Sequence, residues 1–253
     1  MPLRIGFDLD GVLADFSTAY HAIEERLYGR ASPATRAGDP EEEAHLEDVA
    51  ERQGEGRQPE PSERRDRNRR GDAARESAGR RSQLRRHRDS VWQEIHGTPD
   101  FWMALKETEP GAVRRVHEMM LRHRWEVFFI TQRPATEGDT VQRQTQHWLV
   151  AHGFDLPSVL VVPGSRGAAA AALTLDYHVD DSPKNCIDVK SESRARALLI
   201  VPPEDEVTVD SARRLGIGTA SSITAALDVL EQATLAHTQP SLLARVARMV
   251  GWV

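Results

Sequence analysis

The chain has 253 residues, 39% hydrophobic and 28% charged, with a formal net charge of −6. That is enough for one sizeable domain, or a domain with a cap, and the acidic balance gives no reason to expect a nucleic-acid binder overall. The single cysteine, Cys186, excludes an intramolecular disulfide and a cysteine-built zinc site, and no apolar run reaches the roughly 18–20 residues of a bilayer span.

Leu3 to Leu9 is a short apolar run of β-formers and reads as a first strand. A strand in this place is not a signal peptide, so a cytoplasmic, reduced protein is expected. Phe16 to Tyr28 has helical spacing, with Phe16, Tyr20, Ile23 and Leu27 on one face. The composition then breaks. Between Ala31 and Ser90, 14 acidic and 14 basic residues leave only Leu46, Val49 and Leu84 large and apolar. Such a stretch buries too little to offset its ordering entropy, and a disordered or solvated, partly helical insertion is expected over 31–90. Its charge is segregated into an acidic half around Glu41 to Glu51 and a basic half from Arg64 to Arg88. The basic half is a conceivable tether for nucleic acid or another polyanion, but it lacks the interleaved aromatics that stack bases.

Order-forming composition returns at Val91 to Leu105, with Trp92, Ile95, Phe101 and Trp102. Pro110 and Gly111 open a helix carrying Val113, Val116 and Met119. Trp125 to Thr131 reads as a second strand, Asp139 to His152 as a helix closed near Gly153, Val159 to Val162 as a third strand, Leu175 to Val179 as a fourth, and Ala197 to Val201 as a fifth, stopped by Pro202 and Pro203. Helical segments lie between these strands, and another covers about Ser222 to Ala233. Pro240 to Val253 reads as a short amphipathic helix, with Leu242, Leu243, Val246, Val250 and Trp252 apolar, expected to pack on its own domain. The alternation predicts an α/β, Rossmann-like parallel sheet with helices on both faces.

In such sheets ligands sit beyond the carboxyl ends of the strands. The first strand ends in Asp8-Leu9-Asp10-Gly11, the second in Thr131-Gln132-Arg133-Pro134, and the fourth in Asp180-Asp181-Ser182-Pro183. An isolated Asp-x-Asp is often a turn, and a Thr after a strand is often a helix cap. Their order and common strand-end placement point instead to phosphate chemistry. Clustered carboxylates repel one another and need a cation, and hard oxygen ligands favour Mg²⁺. Asp8, kept ionised by the metal, can attack phosphorus and divide hydrolysis into two steps. Asp10 can protonate the leaving oxygen and then activate water. Gly11 allows a sharp turn that lets backbone N–H groups face phosphoryl oxygens, and the Thr131 hydroxyl can bind another of them.

These motifs resemble the haloacid dehalogenase-like hydrolase superfamily. Its first motif, DxDx[TV], matches Asp8-Leu9-Asp10-Gly11-Val12; its second matches Thr131 after Phe128-Phe129-Ile130; its acidic pair matches Asp180-Asp181. The runs FDLDGVLADF and DYHVDDSPKN are most similar to the 5'(3')-deoxyribonucleotidase branch and its bacterial relatives. The resemblance spans Met1 to about Tyr28 and Val91 to about Val201. It implies Asp8 as a nucleophile that also binds Mg²⁺, Asp10 as a general acid/base whose backbone carbonyl reaches the metal, Thr131 as a phosphate binder (beside it, Gln132 and Arg133 are candidates to touch substrate, Arg133 being equally suited to pair with a nearby carboxylate), and Asp180 or Asp181 as the metal-side carboxylate. Spacing does not say which of that pair binds. The presence of Asp10 implies phosphoryl transfer rather than dehalogenation.

The family's third motif is a lysine, and here its place is occupied by Pro163-Gly164-Ser165-Arg166-Gly167. Arg166 keeps the charge with different geometry; Lys184 is the alternative. The family places a small helical cap after the first strand, and the chain reads accordingly: 1–14 and 106–235 as the core, 15–105 as the cap insertion, and 236–253 as the terminal helix. Phe16, Tyr20, Trp92 and Trp102 are candidates to stack on a base, though packing is their commoner use. The expected activity is Mg²⁺-dependent hydrolysis of a small-molecule phosphomonoester, with (deoxy)nucleoside monophosphates the favoured class. The arginine in the lysine's place also fits a phosphate- or nucleotide-binding or regulatory module with little turnover. No membrane partner is expected.

Overall fold

The computed structural model describes residues 2–29, 83–238 and 249–252. The chain divides into two units, Met1–Ala19 with Thr98–Val253, and Tyr20–Gly97. The division falls inside the expected insertion at both ends. At the second crossing the reason is visible: Trp102 is fully buried, its amide donates to Gln144 Oε1 and its indole N–H to Pro134 O.

The first unit is built on six strands, β1 (Arg4–Phe7), β2 (Glu126–Thr131), β3 (Val159–Val161), β4 (Tyr177–Asp180), β5 (Arg196–Ile200) and β6 (Gly218–Ala220). All pair in parallel, in the order β3-β2-β1-β4-β5-β6. Five strands match the sequence expectation within a residue or two. The sixth was not legible: Gly-Thr-Ala is too short for any alternation to show. Each crossover carries a helix, because a parallel pair needs a connection long enough to return the chain. The helices are α1 (Phe16–Tyr28) and, after β1 and the second unit, α3 (Ala112–His123), α4 (Val141–Ala151), α5 (Arg166–Ala172), α6 (Pro183–Glu192), α7 (Glu206–Arg214) and α8 (Ile223–Thr238), with a 3₁₀ turn at Phe101–Met103; α2 is the helical stretch over 83–97.

Local chemistry fixes where these helices start. Ser165 caps α5 by accepting from Gly167 N at 3.0 Å. Ser182 caps α6 ahead of Pro183, whose missing N–H costs nothing at that position. Glu107 accepts from Gly111 N and Val113 N at the head of α3. Both faces of the sheet are covered. Ala197 and Leu199 of β5 join a core with Ala169, Ala170, Cys186, Val189 and Ala212 from α5, α6 and α7, while Leu198, pointing the other way, is also fully buried. Of the terminal segment, 249–252 is described. Val250 is buried, and Trp252 donates to Ala197 O at 3.0 Å and stands 5.6 Å from Tyr177, so this part packs on its own sheet. A Cβ on Gly218 would meet the Trp252 indole at 2.3 Å.

In the second unit, Tyr20 and Trp92 meet edge to face at 6.1 Å, Arg26 pairs with Glu94 at 2.6 Å, and Tyr28 stacks on His87 at 3.9 Å. Most of the expected disordered segment lies outside the described residues. Its last part, residues 83–90, is helical with none of its residues buried, and runs on to 97. No helix among the described residues is long and apolar enough to cross a membrane.

Candidate active site at the strand ends

The chain leaves β1 toward β2 and β3 on one side and returns to β4 on the other, so the strand order reverses between β1 and β4. Such a switch point opens a crevice at the carboxyl edge of the sheet. Three of the singled-out segments end there. Phe7 is in register with Phe129 and Val179, which sets Asp8 beside the ends of β2 and β4, and Asp8 N donates to Val179 O at 2.9 Å.

One carboxylate oxygen each from Asp8, Asp180 and Asp181 lies within 4.8 Å of the others. Asp8 is 6% exposed and Asp180 not at all. After Asp8 the chain makes a tight loop, held by Leu13 N and Ala14 N donating to Leu9 O and Gly11 N to Ala14 O. Gly11 has φ 76°, and a Cβ there would lie 1.7 Å from Asp181 Oδ2. The glycine is required twice, for the left-handed turn and for the space that the Asp181 carboxylate fills.

Arg166, the first residue of α5, is 3% exposed. Its Nη2 donates to Asp8 Oδ1 at 2.6 Å, and its Nε lies 3.7 Å from Asp180 Oδ2. Gly167, next in the helix, has no room for a Cβ, which would stand 2.2 Å from Asp188 O; this close approach of α5 to α6 brings Arg166 into the cluster. Lys184 stays away from it. It is exposed and reaches Asp188 at 3.4 Å, one turn along its own helix.

Asp180 is held on every side. His178 Nε2 lies 2.8 Å from its Oδ2, and Oδ1 accepts from Ser182 N at 3.0 Å and Asn185 Nδ2 at 3.1 Å. Burial alone would raise its pKa, but the His178 hydrogen bond and charge, Arg166 and the Ser182 N–H together hold the carboxyl below its ordinary value. Under the cluster, burial and the charges of Asp180, Asp181 and Asp8 push the Cys186 thiol well up, so it stays a thiol.

Asp10 is turned elsewhere. Its Oδ1 and Oδ2 accept from Arg133 Nη2 at 2.7 Å and Arg133 Nε at 2.8 Å, a two-point grip. Arg133, a candidate either to touch substrate or to pair with a carboxylate, is fully buried on its side chain and lies over the Trp102 ring at 4.8 Å, with Nη1 donating to Thr145 Oγ1 at 3.1 Å. Its direction is set by the Asp10 charge, not by the crevice. Trp102, a candidate base-stacking ring, is likewise committed to this guanidinium and to Phe16 at 5.6 Å. Thr131 is 1% exposed, with Oγ1 accepting from Arg133 N. Gln132 donates to Gly164 O at 2.8 Å, tying the loop after β2 to the loop before α5.

Sequence reasoning missed His178, Asn185 and Thr145. His178 left one usable signal: two residues before Asp180 on a strand, it shares a sheet face with it. His178 is fully buried, and its Nδ1 has no hydrogen-bond partner among the described residues.

The donor set fits a hard divalent cation. Four carboxylates, Asp8, Asp10, Asp180 and Asp181, stand against the two guanidiniums of Arg133 and Arg166, leaving two negative charges, and the three clustered donors are all oxygens. The Asp10 carboxylate is not one of the three.

No family model matches the chain, and no curated protein matches it. Among solved structures it is similar to a Thermotoga maritima protein named as a beta-phosphoglucomutase, at 19% identity and TM-score 0.49, over 90% of this chain and 98% of that one. It is similar to a haloacid dehalogenase-like family hydrolase from Streptococcus pneumoniae at 13% and 0.43, over 79% and 85%. A 2-haloacid dehalogenase from Pseudomonas syringae pv. Tomato DC3000 follows at 17% and 0.40, over 97% and 99%. Likenesses of this size leave the chemistry to be argued from the chain's own residues.

Proposed function

We propose that the protein is a Mg²⁺-dependent phosphomonoester hydrolase that works through a phosphorylated Asp8, with (deoxy)nucleoside monophosphates as the favoured substrate class. The observation that carries this reading is the meeting of Asp8, Asp180, Asp181 and Arg166 at the point where the strand order reverses. Asp8, Asp180 and Asp181 would hold the metal, with the Asp10 carbonyl as a further oxygen. Bound there, it supplies charge neutralisation for phosphate and carboxylate as they approach.

The protein groups divide the rest. An Asp8 oxygen forms a bond to phosphorus as the P–O bond to the alcohol breaks. Asp10 gives the leaving oxygen its proton. Asp10 then takes a proton from water, whose oxygen attacks phosphorus, frees inorganic phosphate and restores the Asp8 carboxylate. Arg166 offers a fixed positive charge beside Asp8 that costs no reorganisation during reaction, and Thr131, at the end of β2, offers a hydroxyl to a phosphoryl oxygen.

Release of inorganic phosphate from p-nitrophenyl phosphate with Mg²⁺ tests the reading, followed by a screen of nucleotides and sugar phosphates. Turnover that requires Mg²⁺ and disappears in Asp8→Asn is expected. Full activity in Asp8→Asn would overturn it. Tight phosphate binding without turnover would replace it with a binding module.

A further inference from the structure

Asp10 follows Asp8 by only two residues, yet its carboxylate stands outside the three-oxygen cluster. A fourth carboxylate so close to a group of three would be drawn to the same cation. What holds it off is Arg133, which meets both Asp10 oxygens through Nε and Nη2 at 2.8 and 2.7 Å. A bidentate guanidinium–carboxylate pair fixes a plane as well as a distance. The guanidinium is itself immobilised from two further directions: Thr145 Oγ1 takes Nη1 at 3.1 Å, and the Trp102 ring lies under it at 4.8 Å. Trp102 in turn donates its indole N–H to Pro134 O at 3.0 Å, next to Arg133 in the chain. Arg133 is fully buried on its side chain and Asp10 is 15% exposed, so the one open side of the pair is that of Asp10.

We propose that Arg133 is a positioning residue that fixes the Asp10 carboxylate outside the three-carboxylate cluster and reserves it for proton transfer. The inference rests on the hydrolase reading for what Asp10 does and on the pair's geometry for how it is held. It removes Arg133 from the phosphate-binding set. The arginine is needed here because a lysine has one charge centre and cannot grip both oxygens in a fixed plane.

The test uses the full-length protein as wild type, Asp10→Asn, Arg133→Met, the double variant, Arg133→Lys and Thr145→Val. Three quantities are read: kcat and KM on p-nitrophenyl phosphate with Mg²⁺, affinity for inorganic phosphate with Mg²⁺, and Tm. Arg133→Met is expected to lower kcat by about 10²-fold, the usual cost of a misplaced catalytic group, with KM and phosphate affinity within about twofold. Added to Asp10→Asn, it should change kcat by less than about twofold, because the group it positions is already disabled. Arg133→Lys should fall between wild type and Arg133→Met. Thr145→Val, which removes one brace and no charge, should lower kcat by a few-fold at constant KM, and it keeps the test open if Arg133→Met folds poorly. Loss of phosphate affinity by tenfold or more in Arg133→Met would make the arginine a substrate ligand and overturn the proposal. An equal loss of kcat in both backgrounds would make it merely structural, which also overturns it. If wild type shows no turnover, the hydrolase reading fails on its own, and the clamp is judged by Tm and phosphate affinity. The Tm losses of Asp10→Asn and Arg133→Met should then be clearly less than additive in the double variant; additive losses would overturn the clamp.

Discussion

Arg166 Nη2 donates to Asp8 Oδ1 at 2.6 Å although 158 residues separate them, while Lys184, three residues from the acidic pair, is spent on Asp188 at 3.4 Å. Only one of the two cations is placed to offset the charge of an attacking carboxylate. Arg166→Ala is therefore expected to lower turnover of an aryl phosphate by about 10²–10³-fold, the usual worth of a preorganised charge partner. Lys184→Ala should leave it within about twofold, and Arg166→Lys should retain a substantial part of it. Steady-state kinetics decides. Abolition by Lys184→Ala alone would reverse the roles.

Asp10→Asn keeps the shape of the side chain and the backbone carbonyl but neither gives nor takes a proton at neutral pH. A fall in kcat of about 10²–10⁴-fold is expected, with Mg²⁺ affinity nearly unchanged because the Asp10 carboxylate lies outside the cluster. Calorimetric titration with Mg²⁺ beside the kinetics checks both halves. An unchanged kcat would remove Asp10 from the chemistry.

Gly11→Ala combines two faults. Its φ of 76° is strained for alanine, and the new Cβ would fall 1.7 Å from Asp181 Oδ2. The backbone cost is about 1–2 kcal/mol, and the displaced carboxylate should weaken Mg²⁺ binding by roughly 10–100-fold, as other disturbances of ligand orientation do. Unchanged affinity would mean that Asp181 contributes nothing to the metal.

The Asp180 carboxyl is pulled up by burial and pulled down further by His178, Arg166 and the Ser182 N–H, with a net depression below its ordinary value. Its ionised form thus favours the folded state. That stability is present above the unfolded-chain value of about 3.9 and is lost as pH falls through the lower folded value. In chelator-treated protein, wild type should outlast Asp180→Asn in urea at pH 7, and the gap should close below about pH 4. Parallel stability curves down to pH 2.5 would contradict this.

The sequence by itself determined the layer architecture and the edge at which the candidate site gathers. Buried strands show as continuous β-branched and aromatic runs, helices as three- to four-residue spacing, and a carboxylate that ends a strand of a parallel sheet has one edge to go to. These signals are local, so Asp8, Asp10, Thr131 and Asp180-Asp181 were readable without coordinates. β6 was not, because its three residues carry no period.

Partnership was decided only by tertiary structure. Arg133 stands next to Gln132 in sequence, yet one turns inward to Asp10 and the other out to Gly164 O. The sequence favoured Arg166 over Lys184 without showing its partner, and the fold sets Arg166 on Asp8 and Lys184 on Asp188. Asp180 and Asp181 could not be told apart in the sequence. In the fold the first is buried and fixed by His178, Ser182 and Asn185, and the second lies against Gly11. The physical reason is common to all three. The direction of a charged side chain is set by the opposite charges and empty volumes around it, and the deciding ones here are remote in the chain: Asp10 for Arg133, Asp8 for Arg166 and Gly11 for Asp181.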